Sequence, residues 1–70
     1  MIESEFARIL RIVKSVDPNA HIGSGIATVD GNMHFTIYPY NVAVEIETGL
    51  SDREVARCVR SMVDAAKGIN

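Results

Sequence analysis

The sequence predicts an α+β domain of order α-β-β-β-α: a three-stranded antiparallel sheet with two helices packed on one of its faces. Three observations carry this prediction. Near each end of the chain, apolar residues recur at steps of three and four, the spacing of one side of a helix. Between them, Met33 to Thr48 alternates apolar and polar residues with the period of two expected of half-buried strands. Turn-forming residues stand wherever the pattern changes. Seventy residues, 47% of them hydrophobic, are enough for one core in a single domain over residues 1–70.

The first helix is expected over Ile2 to Val16, with Ile2, Phe6, Ile9, Leu10, Val13 and Val16 along one side and Ser4, Arg8, Arg11 and Ser15 opposite. Pro18 disfavours helical geometry at Asp17, so Asp17-Pro18-Asn19 ends it. Ala20 to Val29 reads as a strand interrupted by Gly23-Ser24-Gly25. Two glycines in a strand mark a bulge or a strong twist, where another backbone or a ligand comes close. A phosphate-binding loop would need a Gly-Lys-Ser/Thr ending or a third glycine at a helix start, and neither follows. Asp30-Gly31-Asn32 supplies a turn, making the first two strands antiparallel neighbours.

The second strand places Met33, Phe35 and Ile37 on one face and His34, Thr36 and Tyr38 on the other. In Tyr38-Pro39-Tyr40-Asn41, Pro39 presets the second position of a tight turn and Asn41 tolerates the last. The third strand alternates Val42, Val44 and Ile46 with Ala43, Glu45 and Glu47. Ser51 and Glu54 have the spacing of a capping box, which starts a second helix running to about Lys67, with Gly68 as its stop. Val55, Val59, Met62, Val63 and Ala66 form its apolar side. The expected inward set is Phe6, Ile9, Leu10, Val13, Phe35, Ile37, Val42, Val44, Ile46, Val55, Val59 and Met62. The reverse of the sheet, with His34, Thr36, Tyr38, Ala43, Glu45 and Glu47, is expected to be uncovered.

Composition excludes several classes of function. A net charge of -2 provides no global field for nucleic acid or an anionic membrane. The single cysteine, Cys58, precludes an internal disulfide, and its place in an apolar helical pattern marks it as a packed thiol. With no long apolar run and with Glu3 and Glu5 near the start, neither a signal peptide nor a membrane span is expected, which points to the cytoplasm.

Element order and length are similar to those of the double-stranded RNA-binding domain family. Gly49-x-Ser51-x-Arg53 stands near the start of the corresponding last helix. Asp52 and Glu54 occupy places where that family carries consecutive lysines, and Asp30-Gly31-Asn32 replaces its glycine-proline-x-histidine loop. The resemblance therefore implies the fold, in its double-stranded-RNA-binding-domain-like topology, and not the activity.

Two surfaces are candidates for function. The open sheet face presents His34, Thr36, Tyr38, Glu45 and Glu47, with Tyr40 at its hairpin end. Amphipathic tyrosines of this kind are enriched in recognition surfaces. His34 with Glu45 or Glu47 would supply an acid, a base or two metal ligands if the residues were cross-strand neighbours. No catalytic triad is legible, however, and neither enzyme activity, cofactor nor metal is expected. The second surface is a basic stripe of Arg53, Arg57, Arg60 and Lys67 on the last helix, with Arg8, Arg11 and Lys14 along the first. Such a stripe fits phosphates or an acidic partner, although Asp64 lies within helical reach of Arg60 and Lys67. The expected function is a small non-enzymatic module that binds a protein partner, or itself as a homodimer, through the open face. It has the compactness common among phage and mobile-element products that inhibit or adapt host machinery. Nucleic-acid binding through the stripe is the alternative.

Overall fold

A computed structural model of the chain describes residues 2–23 and 25–68. Its elements are α1 (Glu5–Val16), β1 (His21–Ile22), β2 (Ala27–Val29), β3 (Asn32–Tyr38), β4 (Val42–Glu47) and α2 (Asp52–Lys67). The α+β class, the antiparallel sheet and the two-helix layer are as the sequence predicts. The strand count rises from three to four because the expected first strand is broken in two.

Both pieces pair with the same edge of β3. Ile22 stands opposite Ile37, and Ala27 stands opposite His34. Between these two pairs the chain has four residues on one strand side and only Phe35 and Thr36 on β3, so the register slips by two. An even slip returns the following side chains to their original faces. Ser24, part of the predicted interruption, lies outside the described residues. The Asp30-Gly31 turn joins β2 to β3 with positive φ at both positions, 52° and 79°, the backbone of a type I′ hairpin. On its other side β3 pairs along nearly its whole length with β4, with Phe35 opposite Val44 and His34 opposite Glu45. The connecting turn contains a cis Tyr38–Pro39 peptide bond, and Asn41 adopts a φ of 57°.

The helices begin where their caps dictate. The Ser4 side chain accepts the Ala7 amide, so α1 starts at Glu5 and Ile2 lies outside it. The capping box of Ser51 and Glu54 forms at the start of α2, and Gly68 closes that helix in the left-handed conformation. Both helices run from the Asn32–Glu47 end of the sheet toward the Tyr38–Tyr40 end, with α1 over β1 and α2 over β4.

Ile9, Ile12, Val13, Ala20, Ile22, Met33, Phe35, Ile37, Val44, Ile46, Val55, Val59 and Val63 form the core. The expected burial of Phe6 is corrected, since this residue is 39% exposed. The buried residues of α1 are Ile9, Ile12 and Val13, with Leu10 and Val16 half-buried beside them, and Phe6 in the first turn stands at the margin. Leu10, Val42 and Met62 are half-buried against this core.

Arginine–carboxylate pairs join the two helix starts. Arg8 Nε lies 2.6 Å from Asp52 Oδ1, and its Nη1 lies 2.7 Å from Glu5 Oε1. Arg8 Nη2 also donates to the Leu50 carbonyl at 2.6 Å. Arg11 Nη2 reaches Asp52 Oδ2 at 2.9 Å and Glu3 Oε1 at 3.0 Å. Hydrogen bonds from Arg8 and Arg11 hold the Asp52 carboxyl below the usual aspartate range. Lys14 donates to the Ala20 carbonyl at 3.2 Å. The basic residues along the first helix are therefore engaged within the fold, although Arg11 and Lys14 stay exposed.

Candidate functional site

The uncovered face of the sheet carries a depression of about 620 Å³, lined in part by Gly25, Ala27, His34, Thr36, Tyr38 and Glu45. Its shape follows from side-chain size along the strands. Alternate residues of β3 place His34, Thr36 and Tyr38 on this face, and the register sets Glu45 beside His34 and Ala43 beside Thr36. Large side chains at both ends thus flank a small pair in the middle. His34 and Tyr38 are four residues apart, so the walls stand about 13 Å from each other along the strand. The break between β1 and β2 lies opposite Phe35 and Thr36, at the level of the low middle. The result is a trough crossing the strands from the break toward the edge of β4.

One wall is built around Tyr38. Its ring stacks on His21, its cross-strand neighbour, at a centroid distance of 5.8 Å and an interplanar angle of 26°. The ring also lies over Gly23, where an added Cβ would come within 2.5 Å of Tyr38 Cε2. The Gly23 amide meanwhile donates to the Thr36 carbonyl at 3.3 Å. Glycine here permits the close approach of the Tyr38 ring, one of the roles its place in the sequence allowed.

The other wall is polar. Asn32 Nδ2 donates to Glu45 Oε2 at 3.0 Å, and His34 Nε2 lies 4.0 Å from the same oxygen. The cross-strand condition for a His34–Glu45 pair is met. Among the described residues, no group of three or more metal-ligating side chains assembles. Glu47 is on the same face but opposite Asn32, at the outer end of the strand and beyond the trough lining.

Tyr40 does not join this face, correcting its grouping with Tyr38. It turns to the helix side, where its hydroxyl donates to Asp17 Oδ2 and its ring packs against the core. Lys67 Nζ lies 2.8 Å from Asp17 Oδ2 and 5.3 Å from the Tyr40 ring centroid. Asp17, buried at the end of α1, also accepts the Asn19 amide at 3.0 Å. Its hydrogen bonds, that from Lys67 first, lower its pKa to about 2. Lys67 thus leaves the proposed basic stripe, because its charge is paired with Asp17 and not with Asp64. Arg53, Arg57 and Arg60 remain exposed on α2, and among the described residues no ion pair engages them.

Sequence reasoning therefore located His34, Thr36, Tyr38 and Glu45 but missed the lining residues Gly25, Ile26 and Ala27. The glycine interruption signalled a close approach without revealing that the break and the Thr36–Ala43 pair fall at one level. That coincidence depends on the two-residue slip in pairing.

Fold and surface together define a small α+β domain with an open, troughed sheet face. Compared with protein-family models, curated proteins and solved structures, the chain has no significant match. Among the described residues, no helix is long and apolar enough to cross a membrane.

Proposed function

We propose that this chain is a small, non-enzymatic interaction module, an adaptor or inhibitor working in the reducing cytoplasm, that binds a protein partner through its open sheet face. The observation that carries this reading is the trough across β3 and β4, with its low Thr36–Ala43 middle between the Tyr38 and His34–Glu45 walls. A concave surface with amphipathic walls and a small-residue floor accepts a partner side chain or backbone. The helix layer leaves this face uncovered while burying the opposite one. Filling the trough with Thr36→Arg and Ala43→Trp should abolish capture of the partner from cells that make the protein, while the circular dichroism spectrum is retained. A folded double variant that recovers the same bound proteins as wild type contradicts the reading.

A second reading, nucleic-acid binding, rests on Arg53, Arg57 and Arg60, whose guanidinium groups are not engaged by carboxylates among the described residues. It requires a shift of labelled duplex at low salt that disappears on charge reversal of these three residues.

A further inference from the structure

We propose that the occupant of the trough is a basic segment of the protein partner, with a lysine or arginine side chain lying across Thr36 and Ala43 and its charge against Glu45. This rests on the open-face reading and adds the chemistry of the ligand.

The first support is the separation of charge. All seven lysines and arginines belong to the helices, three in α1 and four in α2. The chain from Ser15 to Asp52 contains none, yet it carries the exposed Asp30, Glu45 and Glu47. A cation approaching the sheet face therefore meets carboxylates with no lysine or arginine interleaved, His34 standing 4.0 Å from Glu45, whereas an anion finds neither lysine nor arginine there.

The second support is the state of the carboxylates. The acids on the helix side are largely consumed: Glu5 and Asp52 pair with Arg8, Glu3 pairs with Arg11, and Asp17 pairs with Lys67. A hydrogen bond from a neutral amide, Asn32, orients the Glu45 carboxylate without lysine or arginine cancelling its charge. More than half of its side chain, 59%, is exposed. A positioned, accessible carboxylate binds a cation with less ordering cost than a freely rotating one.

Shape supplies the third support. The low middle of the trough accommodates a narrow aliphatic stem, and the acidic wall lies next to it across the strand register. Lysine and arginine combine an apolar stem with a terminal charge, which matches this sequence of surfaces.

The test is a titration of the ¹⁵N-labelled full chain with two short peptides, one alternating lysine and alanine, the other with glutamate in place of lysine, followed by amide chemical shifts. The lysine peptide should perturb Thr36, Ala43 and Glu45, weaken as salt is raised, and bind about tenfold less tightly to Glu45→Gln/Glu47→Gln. The glutamate peptide should leave these amides unmoved. Equal perturbation by the glutamate peptide overturns the charge assignment and leaves the open-face reading intact. A lysine peptide that perturbs only α1 and α2, or nothing, overturns the cationic occupant, and the trough-filling variants then decide the open-face reading separately. Self-association at low salt that vanishes in Arg53→Glu/Arg57→Glu would identify the occupant as a second copy and overturn the separate partner.

Discussion

Gly23 lies on the sheet face and Asp17 on the helix side, and each residue makes a prediction of its own. Adding a methyl group at Gly23 drives it into the Tyr38 ring. The ring can swing away, so Gly23→Ala should cost only about 1 kcal/mol, the low end of overpacking. It should also abolish the His21–Tyr38 stack, measured as lost ring-to-ring nuclear Overhauser contacts. Retention of those contacts would contradict the geometry. Asp17 makes a prediction about acid stability. Its pKa falls from the usual 3.8 to about 2 in the folded chain, so the unfolded chain takes up the proton first as pH drops. The stability it contributes is full above about pH 4 and is lost as pH falls toward 2. Asp17→Asn should lower the melting temperature at pH 7, and the gap to wild type should close over that acid window; a gap independent of pH refutes the assignment. The sequence indicated Asp17 only as a helix stop. Its partners Tyr40 and Lys67 are 23 and 50 residues away, and local spacing carries no information about such a meeting.

Among the elements, those governed by local chemistry were the most legible. The Ser51–Glu54 capping box, the Gly68 stop and the Asp30-Gly31 turn all form where their residues predict. Ser51→Ala should accordingly cost about 1 kcal/mol of stability in chemical denaturation, with no change in the sheet. The rotation of α1 was less legible, because Ile2 and Phe6 extend the apolar period past the Ser4 cap and pull the inferred stripe away from Ile12. Ile9→Ala should therefore destabilise by about 2–5 kcal/mol, while Phe6→Ala should cost far less than the 3–5 kcal/mol typical of a fully buried phenylalanine. Equal losses for the two variants would show Phe6 to be core after all. The division of the first strand into β1 and β2 was foreshadowed by Gly23 and Gly25. The size of the slip was not, since it is set by pairing with β3 and not by the glycines themselves.

For the molecule as a whole, the layering was legible because both helices and the central hairpin show apolar periods that need one common partner layer. The charge layout needed the structure. A row of basic residues on each helix looks alike in sequence, yet Arg8, Arg11 and Lys67 are neutralised by carboxylates from distant segments, while Arg53, Arg57 and Arg60 are not. The surviving contrast is between an acidic, troughed sheet face and a basic outer face of α2. On the proposed reading, the sheet face is the one that binds. The most direct test of that reading places a photo-crosslinking benzoylphenylalanine at Ala43 or at Arg57, one position at a time, and looks for covalent adducts after irradiation of cells that make the protein. Adducts with a discrete partner from position 43 and none from position 57 are the predicted result. Adducts from position 57 alone would contradict it.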